Sequence, residues 1–342
     1  MRSVAVFDDH HVEVVEIPKP DYGPYECLVK VESCGICGTD MKLLHGNLKG
    51  FDTYPAILGH EGVGRVVEVG RKVTNFVEGD LVMLPFLNVA PKGYANGWGA
   101  LSEYNVISDA EAKIKDGVEP DESDWGQRKI PNDFDPVNSA MIVTFREVLS
   151  QIKTMGFQAN QSLFIQGCGP VGLCFLRLSK LLGLGPIIVS DLDDKKLAFA
   201  KKLGADHTIN AKNENVIEAV RRYAPEGVDQ ALDAVGLNSF INQAMHLIKD
   251  HGSIDVYGIS PELHTEINWA DAPYNWKLQF SQWPSKKLEG EATQQIVSWI
   301  QMGVLDPKDF ISDVYPLEKT GDALAAIEAH KPGLKKTVIR ID

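Results

Sequence analysis

Hydrophobic positions change their period partway along the chain. Up to about residue 107 they alternate or form short β-branched runs. Cys27-Leu-Val-Lys-Val-Glu32 alternates at period two, Val63 to Val69 is a run closed by Gly70, and Glu78-Gly-Asp80 turns the chain before Leu81-Val-Met-Leu84. That is the pattern of a β-rich domain. From about residue 136 strand and helix patterns alternate. Strand 162–166 is predicted to feed helix 171–183, and strand Ile187-Ile-Val189 a helix from Asp194 to Leu203. Val228 to Val235, helix 239–249 and Ser253 to Ile259 continue the series. Alternating βα units imply a doubly wound parallel sheet with nucleotide at the carboxyl ends of the strands. Helices at about 291–302 and 319–330 and a strand from Lys336 to Ile341 follow, and this tail is expected to return to the first domain. The predicted organisation is α/β: a discontinuous β-rich domain of residues 1–135 and 286–342, and a dinucleotide-binding domain of residues 136–285. Asp109 to Arg128 is acidic and helix-friendly, broken by Pro120 and Gly126, and reads as a solvated surface insertion with a lid as the alternative.

Bulk composition narrows the classes. At 342 residues the chain suits two domains, and 44% hydrophobic with 24% charged residues is ordinary for a soluble globular protein. A net charge of −13 argues against nucleic acid or an anionic membrane as partner, since both require clustered Lys and Arg. Five cysteines, without disulfide-framework spacing, point to a reducing compartment. Met1-Arg-Ser-Val lacks the apolar core of a signal peptide and no run is long enough to span a bilayer, so a cytoplasmic protein is expected.

Two nearby segments carry chemistry. Cys34-Gly-Ile-Cys-Gly-Thr-Asp40 and Gly59-His-Glu-Gly-Val-Gly64 together offer a thiolate, an imidazole, carboxylates and a hydroxyl among glycines. This is the inventory of a catalytic zinc site. Gly167-Cys-Gly-Pro-Val-Gly172 follows the apolar strand Leu163-Phe-Ile165 and opens a helix, the context a dinucleotide fingerprint requires. Gly167, Gly169 and Gly172 supply the tight turn, the approach to pyrophosphate and close helix–strand packing. Pro170 and Val171 begin the helix, where a missing N–H costs nothing and free amides face phosphates. Asp191 ends the next strand, where an acid accepts both ribose hydroxyls and would repel a 2′-phosphate, favouring NAD over NADP. Metal plus dinucleotide points to hydride transfer to or from an alcohol.

These motifs, in this order, resemble the medium-chain dehydrogenase/reductase superfamily in its zinc-dependent alcohol and polyol dehydrogenase branch. Gly59 to Gly70 and Cys34 to Asp40 carry the resemblance, supported by Val235-Gly236, Gly258-Ile259, Pro316-Leu-Glu318 and Lys336-Thr-Val-Ile339. It implies a GroES-like catalytic domain, a Rossmann cofactor domain with Val235 and Gly258 beside the cofactor, and a homodimer or homotetramer paired through strands near Leu278 to Ser281. Cys37 and His60 match the first two zinc ligands, and Thr39 matches the hydroxyl that passes the substrate proton onward. Glu61 either ligates or orients a ligand, completing a catalytic set of Cys37, Thr39, His60 and Glu61. Asp40 either orients Cys37 or caps a helix. Relatives often carry His where Lys42 stands; the lysine either holds the cofactor diphosphate or is a surface residue.

The third ligand is where the chain departs. Relatives carry Cys, Glu or Asp at the position of Val143, and valine cannot bind zinc. Either Glu61 coordinates directly, or Glu147 does from one helical turn on, or the metal is weakly held or lost. The four-cysteine structural-zinc lobe of relatives is absent from Leu84 to Gly99, so one zinc at most is expected. The reading is zinc- and NAD-dependent oxidation of a secondary alcohol or polyol. A zinc-free quinone or enone reductase of the same superfamily and a non-enzymatic NAD-binding regulator are the alternatives.

Overall fold

The N-terminal alternation folds into two sheets. In chain order the elements are β1 (Arg2–Val6), β2 (Val12–Glu16), β3 (Glu26–Gly35), α1 (Gly38–Leu44), β4 (Ala56–Ile57), β5 (Glu61–Val69), β6 (Leu81–Met83), β7 (Ala95–Asn96), β8 (Tyr104–Ser108), α2 (Ala110–Lys115), α3 (Glu122–Gly126), β9 (Arg128–Ile130) and α4 (Pro136–Met155). The βα series then supplies β10 (Leu163–Gln166), α5 (Pro170–Leu181), β11 (Ile187–Asp191), α6 (Asp194–Leu203), β12 (His207–Asn210), α7 (Val216–Tyr223), β13 (Val228–Asp233), α8 (Ser239–Met245), β14 (Ile248–Val256) and β15 (Trp276–Phe280). The tail adds α9 (Lys286–Gln301), β16 (Ile311–Pro316), α10 (Thr320–Glu328) and β17 (Lys336–Arg340). The structure, a computed structural model, describes all residues except 263, 331 and 332. It divides into two units, Met1–Arg146 with Ser285–Asp342, and Glu147–Pro284.

In the first unit one sheet runs β2-β1-β4-β7 and the other β16-β17-β3-β5-β6-β9, with β8 also paired to β3. The tail does return: β17 lies antiparallel beside β3, with Val338 opposite Gly35. Val31, Cys34, Leu43, Leu58, Leu101, Leu324 and Ile339 fill a shared core. The division falls at Arg146 because the first half of α4 packs here, Val137 and Ala140 against Val338.

Much of the 109–128 stretch is exposed, including Glu111, Asp116, Glu119, Asp121 and Glu122. Asp109 and Asp124 are the exceptions: buried helix-entry acids, not solvated charge. Asp109 accepts backbone N–H groups of Thr74, Asn75 and Ala112 at 2.8, 2.9 and 3.0 Å. Burial acts to raise its pKa, but these hydrogen bonds outweigh it and hold the carboxyl below its ordinary range. The Gly126 carbonyl accepts from the buried Arg146 guanidinium at 2.5 Å, which ties α3 to α4.

The second unit is a six-stranded parallel sheet in the order β12-β11-β10-β13-β14-β15. The order reverses between β10 and β13, where nucleotide sites form in such sheets. Phe164, Ile188, Val220, Ala231, Phe240 and Ile254 form its core. Two boundaries differ from expectation. Helix α8 stops at Met245, and β14 begins at Ile248, because buried Leu247 and Ile248 join the sheet early; the Val228 N–H donates to Leu247 O at 2.8 Å.

Candidate active site

Strand register assembles the site in the first unit. β3 and β5 pair antiparallel with Gly35 opposite Glu61. Cys37, two residues past the end of β3, is thereby brought beside His60, the residue that leads into β5. The Cys37 thiol, one His60 nitrogen and one Glu61 oxygen all lie within 4.8 Å of one another, the one such group of metal-ligand type among the described residues. Gly35 makes room: a Cβ there would stand 2.2 Å from Glu61 Oε2.

Asp40 serves both neighbours. It is fully buried in the first turn of α1, and its Oδ2 accepts the Cys37 N–H at 2.8 Å, the cap expected for an Asp in that position. Its Oδ1 faces His60 Nδ1 at 3.4 Å. Neither of those two buried atoms makes a hydrogen bond among the described residues. A carboxylate facing Nδ1 would favour the tautomer that leaves Nε2 to a metal. Burial opposes protonation of His60, but the Asp40 charge, with Cys37 adding to it, holds its pKa well above the ordinary value. The sequence reading paired Asp40 with Cys37 and missed its contact with His60.

Glu61 is buried, and its charge is matched by an equally buried Lys336. Lys336 Nζ donates to Glu61 Oε1 and Oε2 at 2.7 and 2.5 Å, and Thr144 Oγ1 adds a hydrogen bond to Oε1 at 3.1 Å. The sequence places Lys336 only in a closing motif. No local pattern marks it, because its strand, Lys-Thr-Val-Ile-Arg, is buried on both faces. Thr39 is buried in the same turn as Asp40, and Lys42 follows it by one helical turn, half-buried. Burial lowers the Lys42 pKa. Cys34 points into the core, where burial pushes its thiol pKa up.

The residue pattern fits zinc. Thiolate, imidazole and carboxylate converge, and the Asp40 carboxylate faces the other nitrogen of the histidine, as metal-binding histidines commonly require. Val143 is buried and supplies no donor. Glu147 belongs to the second unit, where its Oε1 accepts a hydrogen bond from the Tyr257 hydroxyl.

In that second unit β10 ends at Gln166, Gly167 takes φ +99°, and Gly169 caps α5 with Pro170 at its first position. A Cβ on Gly172 would meet Gly167 O at 1.9 Å, so only glycine lets Val171 and the helix start sit this close to the turn. Asp191 ends β11; its Oδ2 accepts the Cys168 N–H at 2.7 Å and its Oδ1 those of Leu192 and Asp193 at 2.8 and 2.9 Å. Asp233, missed in the sequence, is buried and accepts the Val235 and Gly236 N–H groups at 2.8 and 3.0 Å; burial raises its pKa. Its carbonyl accepts the Gly258 N–H at 3.0 Å, so one residue fixes both loops.

Two family models match the chain: "Alcohol dehydrogenase GroES-like domain" over residues 23–116 and "Zinc-binding dehydrogenase" over residues 170–289. Sorbitol dehydrogenase of Bacillus subtilis is 26% identical over 95% of this chain and 92% of its own length. Alcohol dehydrogenase of Geobacillus stearothermophilus is 30% identical over 72% of this chain and 74% of its own. Among solved structures, a zinc-binding dehydrogenase from Sinorhizobium meliloti bound to NADP superposes with a TM-score of 0.83 at 25% identity, covering 99% and 98% of the two chains.

Proposed function

Since the chain belongs to the zinc-type medium-chain dehydrogenases of the alcohol and polyol branch, we propose that it interconverts a secondary alcohol or polyol and its ketone or aldehyde, with NAD as cofactor and one zinc held by Cys37, His60 and Glu61. The convergence of those three donor atoms within 4.8 Å carries the reading. Bound zinc supplies a Lewis acid that lowers the pKa of the alcohol hydroxyl, and the dinucleotide supplies the hydride acceptor. Cys37 and His60 hold the metal with Asp40 orienting the imidazole. Glu61 completes the set and shares its charge with Lys336. Thr39 takes the hydroxyl proton and passes it on. The amides of the Gly167–Gly172 turn hold the diphosphate, and Asp191 accepts the adenosine ribose hydroxyls, which disfavours a 2′-phosphate.

The test is zinc per chain by elemental mass spectrometry on protein purified without chelators, beside C37S, together with NAD reduction on a panel of polyols and secondary alcohols. About one zinc in wild type, lost in C37S, with alcohol-dependent NADH formation, is the expected result. Val143, and the grip of Lys336 on both Glu61 oxygens, favour a second reading, the metal-free quinone or enone reductase. No zinc after supplementation, with NADH-dependent reduction of an enone, would establish that reading instead. Pairing of the β15 edge with a second copy is proposed for the oligomer; Phe280 on that strand is 60% exposed. Five free cysteines suit a reducing cytoplasm. Among the described residues no helix is long and apolar enough to cross a membrane.

A further inference from the structure

The turn that leads into β6 carries a buried acid outside the donor site. Gly79, at φ +88°, lets the chain reverse, and the Asp80 side chain folds back so that its Oδ2 accepts the Val77 N–H at 3.0 Å. That side chain keeps only 9% of its surface exposed. Its other oxygen makes no hydrogen bond among the described residues, and Lys129 Nζ stands 3.7 Å from Oδ2, beyond hydrogen-bond reach. Pairing of β6 with β9 sets Leu81 opposite Ile130, and Asn132, just past β9, accepts the Leu81 N–H through Oδ1 at 2.7 Å.

Asp80 opens onto a cavity of about 370 Å³ within the first unit, walled by the end of β9 on one side and by α9 on the other. Small-molecule sites run from about 300 to 1,000 Å³. The α9 wall presents Val297 and, one helical turn on, Gln301, with Gln294 beside them. Ile130 and Val297 are buried and give the cavity an apolar surface. Three amides line the same space. The Asn132 Nδ2 and the side chains of Gln294 and Gln301 make no hydrogen bond among the described residues.

Charge decides what such a cavity can hold. The Asp80 carboxylate repels an anion. A cation is repelled by Lys129 and by Arg65, which donates to the carbonyls of Gly79 and Asn132 at 3.2 Å each. A neutral molecule rich in hydroxyls meets every wall: it donates to the open Asp80 oxygen, accepts from the amides and lays its C–H surface on Ile130 and Val297. A buried carboxylate oxygen without a donor is costly, and a ligand hydroxyl supplies one. We propose that this cavity is a second binding site, for a neutral polyhydroxylated molecule, a linear polyol or a sugar. It uses none of Cys37, His60 and Glu61 and needs neither metal nor dinucleotide, so it stands or falls apart from the proposed reaction.

The experiment titrates sorbitol into wild type, C37S, C37S/D80N and C37S/Q294L/Q301L by saturation-transfer NMR, with putrescine and citrate as charged probes. C37S removes a proposed metal ligand, so a polyol that still binds does not depend on the donor site. D80N keeps an acceptor for the Val77 N–H, and the two glutamines are exposed, so their replacement leaves the core alone. Sorbitol should bind C37S, and about tenfold more weakly each of the two cavity variants, with neither charged probe competing. If C37S/D80N does not fold, the glutamine variant decides alone. Absence of sorbitol binding to C37S overturns the proposal, and so does equal affinity for C37S and the cavity variants, which places the sorbitol elsewhere. Tighter binding of putrescine or citrate at the cavity overturns the ligand class.

Discussion

Replacing Asp255 by Asn should stabilise the protein at neutral and alkaline pH. Asp255 sits on β14 between Leu232 of β13 and Gln279 of β15, with no exposed surface. Its Oδ1 accepts from Ser253 Oγ at 2.9 Å and Gln279 Nε2 at 3.1 Å, while Oδ2 has no hydrogen-bond partner among the described residues. Burial, which these bonds and Lys277 only partly offset, pushes the carboxyl from its ordinary 3.8 up to about 7. Between those values the native state keeps a proton that the unfolded chain has released. Stability from this residue is therefore complete below about pH 4 and falls as pH rises towards 7. At about 1.36 kcal/mol per pH unit the full loss is about 4 kcal/mol, of which about 2.5 kcal/mol falls between pH 5 and pH 8. Asparagine keeps the Oδ1 acceptor and never ionises. Urea denaturation of wild type and D255N at pH 5, 6.5 and 8 measures the gap between them. The gap should widen in favour of D255N by about 2.5 kcal/mol across that range. Its growth is the quantity to read, because any cost of the amide itself is the same at each pH. A gap constant to within about 0.5 kcal/mol would refute the account of a carboxylic acid kept neutral by burial.

Three further outcomes are expected. K336M leaves the Glu61 carboxylate buried without its counter-charge and should cost about 3–5 kcal/mol in urea denaturation, with K336R recovering most of it; an effect below about 1 kcal/mol would mean the pair is solvated. D40A removes both the Cys37 cap and the carboxylate facing His60, and should weaken zinc about 10–100-fold in a chelator competition while leaving NADH binding alone. D191N should weaken NADH binding about ten- to hundredfold by fluorescence titration and narrow the preference over NADPH; equal loss for both cofactors would assign Asp191 to loop structure only.

Local signals and long-range ones differed sharply in what the sequence revealed. The strand before Gly167, the glycines of the turn and Asp191 were legible because all lie in one βα unit, whose period and spacing are local properties. The segment from Ala205 to Gly227 was not: β12 reads His-Thr-Ile-Asn, with Ile209 its one fully buried position, and α7 is a short helix resting on Val216, Ala219 and Val220. The ligand pair Cys37 and His60 stood out by composition, yet their meeting depends on the register of β3 and β5. Asp109 and Asp124 looked like solvated acids because nothing in a charge run distinguishes a buried cap from a surface residue. Lys336 was the hardest to see, since its partner Glu61 lies 275 residues away and no local rule favours a lysine in a buried strand.

That separation has a consequence for biosynthesis. The second unit is continuous from Glu147 to Pro284, and all its contacts can form while the chain is still being made. The first unit has no such independence, because β3 acquires its β17 neighbour, and Glu61 its cation, only when residues 336–340 leave the ribosome. Until then a newborn chain carries Cys37 and His60 beside an acid with no buried counter-charge. The order of synthesis therefore completes the second unit first and leaves the donor site to be closed by a strand whose lysine follows Glu61 by 275 residues.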